Sequence, residues 1–170
     1  WELDWVGFLP GKRESRRYVG DYILKQSDVR EGGHFDDLIA YGGWSMDDHN
    51  PDGFGTKERP TIFHSAPSPF GIPYRCLYSK NIDNLMFSGR NISCTHTAMS
   101  SCRVMGTCST LGQAMGTAAA MAIRYGTSPR GIYESHIGEL RQTLMEDDCW
   151  LPFSSRALTP MSEGARAEVI

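Results

Sequence analysis

An α/β or α+β fold follows from three features of the sequence. These are a short apolar run from Asn84 to Ser88 that stops at Gly89, helical periodicity from Thr107 to Arg124, and a second amphipathic stretch from Tyr133 to Met145. A buried strand, a turn and a helix in that order make the unit from which α/β layers are built.

The elements follow in chain order. Tyr18, Val19, Tyr22, Ile23 and Leu24 are β-formers, so 18–25 is predicted to be a strand, with a bulge at Gly20 and Asp21. Phe35 to Tyr41 reads as a short helix or turn, and Tyr74 to Ser79 alternates like an edge or hairpin strand. Between them, the Gly and Pro density of residues 50–73 marks loops, a surface excursion or the rim of a site. In the 107–124 helix the apolar residues Cys108, Leu111, Met115, Ala118, Ala119 and Ile123 recur at helical spacing. Gly112, Gly116 and Ala120 line one face. Glycine costs a helix interior about 1 kcal/mol relative to alanine, so close packing on a sheet or a cofactor is expected there. The 133–145 helix points Tyr133, Ile137, Leu140 and Leu144 inward as a docking helix, and the tail from Ser154 shows no period.

Composition narrows the function classes. The chain has 170 residues, with 17 Lys and Arg against 20 Asp and Glu, for a net charge of -3. A nucleic-acid surface needs a basic excess to neutralise phosphates, so no nucleic-acid partner is expected. The most apolar run, Leu111 to Ile123, is interrupted by Gln113 and Thr117 and falls short of the ~20 residues of a membrane span. The five cysteines (Cys76, Cys94, Cys102, Cys108 and Cys149) include no C-x-x-C pair. They read as reduced, mostly buried thiols, which suits a reducing, cytoplasmic compartment. The chain opens on Trp1 with no initiator Met and no signal-like region, and is therefore expected to be a piece of a longer protein.

The chemistry concentrates between Asn84 and Ala122. A strand that ends at Gly89, and a helix that opens on Gly106 and Thr107, aim backbone N–H groups and the positive end of a helix dipole at one spot. Such a spot stabilises an anion or an electron-rich edge.

Four phrases then stand out: LPGKRESRR at 9–17, GDYIL at 20–24, IPYRCLYSKNIDNLMFSGRNIS at 72–93 and CRVMGTCSTLGQAMGTAAA at 102–120. In this order they resemble the C-terminal flavin-binding segment of FAD-dependent oxidoreductases built on the glutathione-reductase-like dinucleotide fold. The resemblance implies strands of a substrate-covering sheet in 1–80, the closing strand, flavin helix and docking helix in 81–150, and a tail in 151–170. It also implies FAD as cofactor and a small organic molecule as substrate. Gly89 and Arg90 would lie where the chain passes the FAD ribityl and pyrophosphate, and Gly106, Thr107 and Cys108 near the flavin pyrimidine edge. Arg103 would favour the anionic reduced flavin or bind an acidic substrate, with a structural salt bridge as the alternative.

Arg13, Arg16 and Arg17 form a cluster from which one guanidinium could reach the site; the alternative is a solvated charge run. Asp47, Asp48 and His49 are expected on a loop, suited to acid–base work or simply to loop hydrogen bonding, without metal-ligand spacing. His96, expected on a loop before the flavin helix, is placed for proton transfer.

The sequence also departs from the family pattern. No strand followed by G-x-G-x-x-G is present, and Gly53-Phe54-Gly55 lacks the third glycine. The ADP-binding half is therefore expected from a missing N-terminal portion, and a second copy of the chain is a further plausible partner. The cysteines are too scattered for an iron–sulfur cluster. Two other readings stand beside the oxidoreductase: a carbohydrate-active or carbohydrate-binding protein, from the aromatic, Asp and His content of 44–64, and a non-catalytic interaction domain.

Overall fold

A computed structural model describes residues 1–9, 16–166 and 168. Its centre is a two-stranded antiparallel ribbon, β1 (Leu38–Gly42) against β4 (Phe70–Pro73), with Leu38 opposite Pro73 and Gly42 opposite Phe70. Both strands are almost wholly buried, as the absence of charge in LIAYG and FGIP permits. A second ribbon pairs β2 (Met46–His49) with β3 (Thr61–His64), also antiparallel.

Helices cover the ribbons. The short α1 (Gln26–Arg30) buries Val29, and α2 (His96–Cys102) lies against β2. Thr95 begins α2, its Oγ1 accepting from the Ala98 N–H. The long α3 (Met105–Tyr125) buries Leu111, Ala114, Met115, Ala118, Met121 and Ala122, one helical stripe, and packs on β1 and α4. Gly126 closes it in the left-handed conformation at φ 60°. A turn through Ser128, whose Oγ accepts from the Gly131 N–H at 3.2 Å, starts α4 (Pro129–Glu146) with proline in the first turn, and α4 packs along α3. One further turn, α5 (Pro160–Glu163), interrupts the tail.

The core is one contiguous cluster from Leu24 to Leu151. Tyr74 and Tyr78 are its largest side chains, and both phenols are satisfied: Tyr74 donates to the Pro129 carbonyl at 3.0 Å and Tyr78 to Asp21 at 2.8 Å. Gly33, at φ 60°, sits so close to Gly71 that an added Cβ would strike the Gly71 backbone. Two glycines are what allow the loop after α1 to lie on β4.

The two long helices form where the periodicity placed them, but Ile123, expected on the apolar face of the first, is 84% exposed, and Ala114, Met121 and Ala122 are buried instead. Several shorter expectations do not hold. Residues 18–25 form no strand: they bend at Asp21 and Tyr22 and make only isolated bridges, Gly20 with Ser79 and Leu24 with Cys94. Gly20 is pressed against the Arg75 and Tyr78 carbonyls, so the expected bulge position is a point of close backbone approach. Phe35 to Tyr41 is a turn only in its first half, at Asp36 and Asp37, where the Leu38 N–H donates to the Phe35 carbonyl at 3.3 Å; from Leu38 it is strand β1, selected by pairing with β4. Tyr74 to Ser79 is a 3₁₀ turn, Tyr74–Cys76, followed by two isolated bridges, Tyr78 with Met86 and Ser79 with Gly20. The bridge from Tyr78 to Met86 is antiparallel and is the only one recorded in Asn84 to Ser88 among the described residues, so this run is not a strand of a parallel sheet. Gly112 and Gly116 pack on no sheet: a Cβ at either would meet nothing within 4 Å.

Candidate functional site

The β2 sequence MDDH does not form a loop. As a strand it alternates, so Asp47 and Asp48 turn to opposite sides. Asp48 Oδ1 lies 2.6 Å from His96 Nε2, at the first residue of α2, so His96 is helical and not in a loop as expected. On the other side, Arg103, just past α2, donates from Nη2 to the Asp47 carbonyl at 2.8 Å and faces Asp47 Oδ2 at 3.5 Å. His49 contacts Thr61 Oγ1 through Nδ1 at 3.1 Å and lies 3.7 Å from Asp47 Oδ2. The structure thus brings Asp47, Asp48, His49, His96 and Arg103 together where β2 crosses α2. The salt bridge offered as the alternative role for Arg103 is present.

Two cavities open at the start of α3. One, about 420 Å³, is lined by Trp44, Asp47, Arg90, Arg103, Val104 and Met105. The other, about 260 Å³, includes Tyr41, Gly43, Gly106 and Thr107 and shares Trp44 and Val104 with the first. Trp44, 53% exposed, is the wall between them and had no signal of its own in the sequence.

The helix start itself is bare. Val104 occupies the N-cap and makes no side-chain cap bond, so the N-cap side chain satisfies none of the first-turn N–H groups. Gly106 is exposed with open space where a Cβ would be, whereas Thr107 is buried. Gly89, at φ 87°, also has nothing within 4 Å and leads into the 3₁₀ turn that carries Arg90.

Two polar atoms of the larger cavity's lining residues are unbalanced. Arg90 Nη2 and Asp47 Oδ1 are shut from water and have no hydrogen-bond partner. A buried polar group left in this way costs about 1–3 kcal/mol, more when charged. A ligand toward which either side chain turns would remove that cost.

Other expected contributors lie elsewhere. Arg13 falls outside the described residues. Arg16 is exposed, and Arg17 donates from Nε to the Cys94 carbonyl at 2.8 Å, bracing the segment before α2. Cys76, Cys94, Cys102 and Cys149 are buried and Cys108 is half-buried, all as free thiols. Burial pushes the Cys94 thiol up to about 12 and raises the Cys108 thiol, with Arg90 opposing the latter. Among the described residues no cluster of three His, Cys, Asp or Glu side chains could hold a metal ion, and no helix is long and apolar enough to cross a membrane.

A helix start beside an arginine-lined cavity is a place where an anionic or electron-rich group would be stabilised. The model of the FAD-dependent oxidoreductase family matches residues 1–144, and the chain belongs to that family, whose cofactor is FAD. No curated protein and no solved structure matches it.

Proposed function

We propose that this chain supplies the flavin-edge part of an FAD site in an oxidoreductase acting on a small organic substrate, the ADP end being held by a G-x-G-x-x-G segment that these 170 residues do not carry. The observation that carries this reading is the uncapped start of α3 beside two cavities. The residues there suit the group. The N–H groups of Gly106 and Thr107 are donors for the polar edge of the isoalloxazine, open space at Gly106 and Gly89 admits a ring and its ribityl chain, and Cys108 adjoins them. When bound, FAD supplies a two-electron acceptor and donor.

The chain's own residues do the rest. The backbone at Gly89 and Arg90 passes the cofactor, while the positive end of α3 and the Arg103 guanidinium favour added negative charge. Arg103 is kept in place by Asp47, and His96 by Asp48. His96, on the Asp48 side of β2, is not among the residues lining either cavity and takes no proton-transfer role in this reading; His49, held by Thr61 and 3.7 Å from Asp47 Oδ2, is the imidazole on the Asp47 side. Trp44, with Val104, borders both the cofactor and the substrate cavity.

Equilibrium dialysis against FAD, riboflavin and AMP tests this reading. The protein is expected to bind FAD and riboflavin and to leave AMP free, because it contacts the flavin end. Binding of AMP without riboflavin, or of none of the three, would overturn it.

A further inference from the structure

We propose that Ser101 is a positioning residue of this site: its hydroxyl fixes the corner between β1 and β2, so that the Trp44 indole stands as a preformed wall for the flavin ring. The inference rests on the functional reading above in taking the cavity at the start of α3 as the flavin's.

The two serines near the end of α2 are used differently. Ser100 Oγ donates to the Thr97 carbonyl at 2.6 Å, the local bond that a helical serine makes to its own preceding turn. Ser101, 0% exposed, instead donates across to the Trp44 carbonyl, 57 positions away. Just past α2, Arg103 donates from Nη2 to the Asp47 carbonyl at 2.8 Å. The end of α2 therefore grips both ends of the 44–47 corner, and Met46 is fully buried between them. On its other side the corner rests against β4 and the residues before it: a Cβ at Gly42 would strike the Phe70 ring, and one at Gly43 the Ser68 Oγ. These contacts pin the backbone that carries Trp44.

The side chain itself is open. Trp44 is 53% exposed and, among the described residues, no ring packs against it, whereas the similarly exposed Trp150 has Tyr41 edge-on at 5.0 Å. An exposed indole offers a large apolar face to a planar partner. Tyr41 and Trp44 line one cavity together with Gly106 and Thr107, so a ring placed there meets aromatic surface from the strand corner beside the start of the helix. Fixing that surface before the ligand arrives removes an ordering cost from binding.

Two measurements test the tether. In a variant whose one tryptophan is Trp44 (Trp1→Phe, Trp5→Phe, Trp150→Phe), Ser101→Ala is expected to lower the fluorescence anisotropy of Trp44 without ligand, and Ser101→Thr, which keeps the hydroxyl, to restore it. In the otherwise native protein, riboflavin affinity is expected to weaken about fivefold in Ser101→Ala and about tenfold in Trp44→Leu, and no further in the double variant than in Trp44→Leu alone. A hydroxyl that merely supports the fold lowers the melting temperature and moves neither anisotropy nor affinity. That result, or riboflavin losses that add in the double variant, would overturn the proposal. If Ser101→Ala does not fold, Ser101→Cys, a weaker donor, takes its place. Riboflavin binding with unchanged anisotropy in Ser101→Ala removes the tether alone; lost anisotropy without riboflavin binding in the wild type removes the flavin reading and leaves the tether.

Discussion

Asp37 is 1% exposed and accepts three hydrogen bonds from Arg75: from the backbone N–H at 3.0 Å, Nε at 2.9 Å and Nη2 at 3.0 Å. The pair raises the Arg75 pKa, and the guanidinium lies between the Tyr22 and Tyr133 rings at 5.4 and 5.2 Å. Asp37→Ala leaves a half-buried cation without its anion and is expected to cost about 3 kcal/mol in chemical denaturation. Cys94 gives a pH dependence. Its thiol titrates near 12 in the fold against an ordinary 9.0, so the fold favours the neutral form. That stability is complete below pH 9 and is lost as pH rises toward 12. Melting temperature is expected to fall across this window, and to fall less steeply in Cys94→Ala. Thiol labelling of the native protein near neutral pH should modify Cys108 first, because the other four cysteines are buried. Rapid labelling of all five would contradict that burial.

At the scale of elements, Gly112 and Gly116 interrupt α3 without touching any neighbour within 4 Å. Gly116→Ala is therefore expected to stabilise the chain by about 1 kcal/mol, a rise of about 2–4 °C in Tm. A fall would place an unseen neighbour against that face. The helix itself was legible because its period is local: Leu111, Met115 and Ala118 mark the buried stripe without reference to any other element, whereas Ile123, read on the same face, is exposed. Strand β1 was not. FDDLIAY carries two acidic residues that read as turn or helix, and only the pairing of Leu38 with Pro73 and the capture of Asp37 by Arg75 make it a buried strand. The same blindness hid β2, whose Asp47 and Asp48 looked like loop residues until His96 and Arg103 arrived on either side of the ribbon.

Across the whole molecule, the candidate site is an assembly of distant pieces. Asp48 and His96 are 48 positions apart, Arg103 and Asp47 are 56 apart, and no spacing rule links them. What the sequence disclosed was the ordered set of phrases from residue 9 to residue 120 and the Gly-Thr opening of a helix. The cavity beside it, with Trp44 as its wall, required the fold. The central claim is that the start of α3 receives the flavin edge, and Gly106→Asp tests it most directly. A carboxylate in the first turn complements the helix dipole and replaces a glycine, so this variant is expected to melt at the same or a higher temperature than the wild type. The same charge occupies the place of the flavin edge, so quenching of FAD fluorescence on titration should report affinity weakened about tenfold or more. A Gly106→Asp protein that folds equally well and binds FAD as tightly as the wild type would contradict the account.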